Sequence, residues 1–166
     1  MEIRTYPDPI LKTPAEPVKN VDGQLQGLID DMIEIMYAAP GIGLAANQVG
    51  ELKRVIVFDL EPGEAGSKPG VLINPEIVLG GDEILREEAC LSVVDYSAEV
   101  ARKTEAIVKG LDRHGNPLTI EAKDLLLAIC LQHETDHING VLFIDRISSL
   151  KRGLYKKRLK KILKGK

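Results

Sequence analysis

The stretch Ala122-Lys123-Asp124-Leu125-Leu126-Leu127-Ala128-Ile129-Cys130-Leu131-Gln132-His133-Glu134-Thr135-Asp136-His137-Ile138 decides how the rest of the chain is arranged. Its apolar residues recur at helical spacing and Asn139-Gly140 follows as a left-handed stop, which predicts a helix over about 122–138. Leu126, Ile129 and Cys130 precede His133 by seven, four and three residues, so His133 and His137 continue the apolar face of that helix. An apolar face that carries imidazoles belongs in the interior, and buried imidazoles need partners.

Outward from this helix the pattern changes to short β-branched runs. Ala106 to Leu111 and Leu118 to Ile120 flank Asp112-Arg113-His114-Gly115-Asn116 and read as a hairpin. Val55 to Phe58 and Val71 to Ile73 are further strands, and Ile77 to Leu79 and Ile84 to Leu85 extend the β region around Gly80-Gly81. Leu25, Leu28, Ile29, Met32, Ile33 and Met36 recur at helical spacing behind a capping Asp22, and that helix must stop before Pro40-Gly41. Pro7, Pro9, Pro14 and Pro17 break the first residues into an extended arm. The fold class is therefore α+β: short, mostly antiparallel strands packed around one central helix, in a single domain of residues 1–166. A chain of this length buries roughly 70% of its unfolded surface.

Composition narrows the class further. At 44% hydrophobic and 28% charged residues the chain reads as an ordinary globular protein, and no apolar run approaches the ~20 residues of a membrane span. The first residues lack the basic and then apolar stretch of a secretory signal. Two cysteines, Cys90 and Cys130, are too few for a disulfide scaffold, so the expected location is the cytoplasm. Net charge is −3, yet residues 151–166 carry nine Lys or Arg and no acid, a basic tail on an acidic body and a possible third helix.

His133-Glu134-Thr135-Asp136-His137 puts two imidazoles four apart on one helix face, within reach of a single cation, with a carboxylate one residue away. The bland alternative is two surface histidines on a polar turn, which their place on the apolar face opposes. A catalytic site of this kind takes three protein ligands and keeps one position open. Phe143 stands where the long His-Glu-x-x-His motif has its third histidine, and no glutamate follows Glu134. Asp145 and His114 are the other downstream or turn candidates, which leaves Cys90 as the favoured third ligand. A thiolate with two imidazoles suits Zn²⁺ or Fe²⁺. Read alone, an isolated cysteine is more often a small buried hydrophobe.

Three segments in register resemble the peptide deformylases. Gly41-Ile42-Gly43-Leu44-Ala45-Ala46-Asn47-Gln48 matches the family's Gly-x-Gly-x-Ala-Ala-x-Gln motif. Glu88-Ala89-Cys90-Leu91-Ser92 matches Glu-Gly-Cys-x-Ser except at Ala89, and Gln132 to His137 match the third motif in full. The first segment also satisfies a dinucleotide fingerprint, but a helix and Pro40 precede it where a strand is required. The resemblance implies a hydrolase that removes the formyl group from the N-terminal methionine of new polypeptides and releases formate. It implies Cys90, His133 and His137 as ligands of one divalent ion, usually Fe²⁺, with Zn²⁺, Ni²⁺ or Co²⁺ as substitutes. It also implies that the Gln48 amide and the Leu91 N–H receive the developing oxyanion, and that Gly43 lets the backbone approach the substrate.

Within that frame Glu134 is the expected general base and then acid. Ile42, Leu126, Ile129 and Cys130 form a reasonable methionine pocket, although the helix residues can equally be plain core. The alternatives are a catalytically weakened deformylase-like metalloprotein, another small metal-dependent amidase or peptidase, and a cysteine hydrolase built on Cys90. Intact Gln48 and Glu134 argue against a purely structural metal site. The substrate emerges from the ribosome, so residues 151–166 are expected to bind ribosomal RNA; a solvated terminal helix is the plain alternative. Three positions depart from the family: Ala89 for glycine, Val94 for a frequent proline, and Ser97 for a common arginine. If position 89 needs a positive φ, alanine strains the backbone by roughly 1–2 kcal/mol; if not, its methyl crowds the approaching peptide.

Overall fold

The computed structural model describes residues 1–165; Lys166, the last residue of the basic tail, lies outside the described residues. The Asp22 carboxylate accepts from the Leu25 N–H at 2.9 Å and starts α1 (Gly23–Ala38), which ends ahead of Pro40, a residue with no N–H to continue a helix. Five strands follow: β1 (Gly43–Ala45), β2 (Val55–Phe58), β3 (Gly70–Cys90), β4 (Val93–Leu111) and β5 (Pro117–Ala122). They pair antiparallel in chain order. Two helices complete the chain, α2 (Leu125–Ile138) and α3 (Ser149–Lys164).

The α+β class and the antiparallel pairing are as expected, but two strands are long rather than short. The runs at Val71–Ile73, Ile77–Leu79 and Ile84–Leu85 belong to one 21-residue strand, β3, paired along its length with β4. The sequence breaks at Pro75 and Gly80-Gly81 are register irregularities inside the ladder, not its ends. At Gly81 φ is +72°, and a Cβ would lie 2.2 Å from Thr104 Oγ1, which instead accepts from the Asp82 N–H. The central helix also starts later than expected. Ala122 pairs with Ala106 as the last residue of β5, and Asp124 caps α2 by accepting from the Leu127 N–H at 3.0 Å.

The sheet lies between α1 and α2. Val55, Val57, Val71 and Ile73 pack with α1, whereas Ile56 and Leu72 pack with Ala128, Leu131 and Ile138 of α2. Strands buried on both faces read as continuous apolar runs, which is why 55–58 and 71–73 show no alternation. A third cluster joins Leu11 of the arm, Val93, Ala98 and Val100 of β4, Leu142 to Ile144, and Tyr155 and Leu159 of α3. The arm is held by backbone hydrogen bonds from Arg4 to Gln48, Tyr6 to Ser92 and Ala15 to Ile138, at 2.7–2.8 Å. No described helix is long and apolar enough to cross a membrane.

Candidate active site

Ten of the fourteen residues of α2 are buried, including the polar run Gln132, Glu134, Thr135, Asp136 and His137. Most of these polar groups find partners within the protein, whereas Glu134 Oε2, Thr135 Oγ1 and His137 Nδ1 have none among the described atoms. His137 Nε2 lies 3.1 Å from His133 Nε2 and 3.2 Å from Cys90 Sγ. Cys90 reaches this point because it ends β3 and pairs with Val93 across the two-residue turn Leu91-Ser92. The three candidate ligand atoms lie within 4.8 Å of one another. The other two ligand candidates do not join them: His114 is in the β4–β5 turn, and Asp145 accepts from the Leu142 N–H at 2.8 Å and pairs with Lys12.

The surroundings orient the donors. His133 Nδ1 lies 2.8 Å from Glu88 Oε1; a carboxylate only accepts, so Nδ1 carries the proton and Nε2 offers its lone pair. Burial works against the charge on Glu88, but Arg102 and His133 outweigh it and hold the carboxyl down at about 2. Burial also opposes charge on His133, yet its hydrogen bonds to Cys90 and Glu88 raise it well above the usual imidazole value. Burial and the neighbouring His133 lower His137 well below that value. The Ser92 N–H donates to Cys90 Sγ at 3.4 Å. Two imidazole nitrogens and a sulfur so close together, with His133 oriented by a carboxylate, fit a single metal ion that takes the place of the proton they would otherwise share.

Glu134 and Gln48 border the same point. Glu134 is 5% exposed, its Oε2 has no partner among the described protein atoms, and burial pushes its carboxyl up to about 7. Gly43 makes room for it: a Cβ there would lie 2.5 Å from Glu134 Oε1. Gln48 Oε1 accepts from the Ala45 N–H at 2.9 Å. This fixes the amide so that Nε2 faces Ser92 Oγ at 3.0 Å and Cys90 Sγ at 3.7 Å. A cavity of about 430 Å³ opens onto these groups. Ile42, Gly43, Gln48, Cys90, Leu91, Leu126, Ile129, Cys130, His133 and Glu134 all line it, and His137 lies behind, buried, as the third ligand atom. Leu126 remains 42% exposed and so stands at the cavity's rim.

Position 89 is resolved by its backbone. Among the described non-glycine residues only Asn74 and Asp95 have positive φ, so Ala89 is unstrained and its methyl lines the cavity. Ser97 Oγ donates to Glu87 Oε1 at 2.7 Å, and Val94 is exposed.

Sequence reasoning missed the supporting ions Arg102, Asp136 and Arg146, and gave Glu88 no role. Arg102 joins Glu88 to Asp136, and Arg146 holds Asp136 from the other side. One signal was available: Arg102 falls in the inward period-two register of Ala98, Val100, Ala106 and Val108, where a charge must be paired.

Comparison with known proteins agrees with this geometry. The sequence profile of the polypeptide deformylase family matches residues 1–153. The peptide deformylase of Thermodesulfovibrio yellowstonii is 54% identical over 160 residues, 96% of either chain. The crystal structure of a peptide deformylase from Legionella pneumophila superimposes with a TM-score of 0.89 at 44% identity, covering 98% of this chain and 95% of that one. The Ehrlichia chaffeensis deformylase in complex with actinonin gives 0.89 at 39% identity, over 97% and 96% of the two chains. With its three motifs meeting at one cavity and its whole length shared with these relatives, the chain belongs to the peptide deformylase family.

Proposed function

We propose that the protein hydrolyses the formyl group from the N-terminal formylmethionine of newly made polypeptides and releases formate, using one Fe²⁺ ion held by Cys90, His133 and His137. The observation that carries this reading is the meeting of those three ligand atoms with Glu134 and Gln48 on one cavity wall. A thiolate among imidazoles favours Fe²⁺ or Zn²⁺ over hard cations. When bound, the ion supplies Lewis acidity, bringing the pKa of water toward 7 and polarising the formyl carbonyl.

The side chains do the rest. Glu134, buried with its carboxyl near neutrality, takes a proton from the attacking water and returns it to the methionine nitrogen as the C–N bond breaks. The Gln48 amide, oriented by Ala45, and the Leu91 N–H donate to the oxygen that gains charge. One such donor typically lowers a barrier by about 3–4 kcal/mol. Ile42, Leu126, Ile129 and Cys130 receive the methionine side chain, and Gly43 admits the peptide backbone beside Glu134. A structural metal site would need neither Glu134 nor Gln48.

The whole chain, 1–166, serves as one catalytic domain working in the cytoplasm, where its substrate is made. Residues 151–166 dock it on ribosomal RNA: α3 buries Tyr155 and Leu159 on the body and turns its lysines and Arg158 outward. The test is anaerobic purification, metal analysis and a formate-release assay on formyl-Met and acetyl-Met peptides. Iron-dependent formate release with no cleavage of the acetyl peptide is expected. Absence of formate from metal-loaded protein refutes the reading.

A further inference from the structure

A chain of charges runs through the protein behind the ligand cluster. His133 Nδ1 donates to Glu88 Oε1 at 2.8 Å. Arg102 closes a fork on Glu88, Nε to Oε2 at 2.7 Å and Nη2 to Oε1 at 2.9 Å. Its Nη1 donates to Asp136 Oδ2 at 2.7 Å. Arg146 then holds both Asp136 oxygens, at 2.5 and 2.6 Å. Glu88, Arg102 and Asp136 are 7%, 3% and 8% exposed.

Arg102 stands on β4, which contributes no ligand atom, yet its guanidinium grips both elements that do. Glu88 is two residues from Cys90 on β3, and Asp136 immediately precedes His137 on α2. Apolar packing would join helix to sheet at least as strongly as buried ions, so cohesion alone does not account for three buried charges. Direction does. A planar fork fixes the plane of the Glu88 carboxylate, and Oε1, shared between Arg102 and His133, fixes the tautomer and the ring of His133. The outer end of the chain is not sealed by packing. Arg102, Asp136 and Arg146 line a second cavity of about 260 Å³ on the far face of α2, and the Arg146 side chain is 45% exposed. Asp136 and Arg146 therefore anchor Arg102 on that side.

We infer that Arg102 is a positioning residue of the metal centre, locking the sheet-borne Cys90 and the helix-borne His133 and His137 into one ligand geometry through Glu88 and Asp136. The inference rests on the reading of those three residues as ligands. Lysine would keep the charge and lose the fork, so Arg102→Lys is the decisive variant.

Protein loaded with Co²⁺ reports the site without any turnover, through its d–d and thiolate charge-transfer bands and its release rate to a chelator. Arg102→Lys should shift the bands and release Co²⁺ faster, by up to the roughly 10- to 100-fold in affinity that losing a ligand's direct partner such as Glu88 typically costs. The melting temperature of the metal-free protein should stay near that of the parent. Arg146→Gln, at a solvent-facing position, should move both Co²⁺ readouts the same way by a smaller factor. Parental bands and release rate in Arg102→Lys overturn the inference. If that variant fails to fold, parental behaviour of Arg146→Gln overturns it instead. Cys90→Ala separates the two levels: if it keeps the parental thiolate band, the ligand assignment itself is wrong. If it loses the band while Arg102→Lys matches the parent, only the role of Arg102 falls.

Discussion

A single methyl group at position 43 should disable the reaction and leave the metal in place. The Cβ of Gly43→Ala would lie 2.5 Å from Glu134 Oε1 and 2.9 Å from its Cδ and Cγ. Ordinary contact begins near 3.4 Å, so the carboxylate must retreat by about 0.9 Å. Glu134 is 5% exposed, so that retreat must carry it into the adjoining cavity and away from its place beside Cys90, His133 and Gln48. A catalytic group misplaced by about 1 Å typically costs about 100-fold in rate, equivalent to about 2.7 kcal/mol of barrier. The three atoms nearest the new methyl all belong to Glu134 and none to Cys90, His133 or His137, so metal content should be unchanged. The assay is kcat for formate release on a formyl-Met tripeptide at matched metal occupancy, with melting temperature recorded alongside. A kcat within about threefold of the parent would refute the reasoning, because Glu134 would then have been free to move or not needed where it stands. A loss of metal would show instead that position 43 supports the ligands.

Glu134→Gln should keep the metal and lower kcat by at least ~100-fold, the scale of lost acid–base catalysis, as read by metal analysis and formate release; near-normal turnover would remove the proposed proton carrier. Iron-loaded protein should lose activity in air and keep it under argon, while Ni²⁺ or Co²⁺ forms survive both, since thiolate and Fe²⁺ are each oxidisable; equal lifetimes with iron bound would contradict this. Ala89→Gly and Ser97→Arg, singly and together, should raise kcat/KM on formyl-Met peptides of several lengths in at least one case, because the Ala89 methyl stands in the cavity without straining the backbone. Three variants at or below the parent would show the departures to be compensated. Removing residues 151–166 should weaken ribosome binding and flatten its salt dependence while short peptides are still cleaved; unchanged ribosome affinity would end that proposal.

The parts of this protein that were legible in its sequence are those governed by local spacing. Asp22 and Asp124 cap helices that the apolar period announces, and the Asp112–Asn116 turn joins β4 to β5. His133 and His137 share a helix face by arithmetic, and the residues read as a methionine pocket do line the cavity. What stayed hidden depends on pairing across distance. β3 looked like three strands because Pro75 and Gly80-Gly81 punctuate it, and only the long partner β4 carries the ladder across them. Arg102 drew no reading from the sequence because its acceptors, Glu88 and Asp136, lie 14 and 34 residues away. Within the tail, Leu159 packs on the body, whereas Leu150, Leu154, Ile162 and Leu163 are exposed, a division that composition does not announce.

The arm has a consequence for when this protein becomes competent during its own synthesis. Its first residues leave the ribosome before anything they bind. Arg4 must wait for Gln48, Tyr6 for Ser92, and Ala15 for Ile138, the residue after the last imidazole ligand. No nascent fragment that stops short of His137 brings Cys90, His133 and His137 together, and the Ala15 hydrogen bond waits one residue longer. Competence therefore comes late, only once residue 138 has been made.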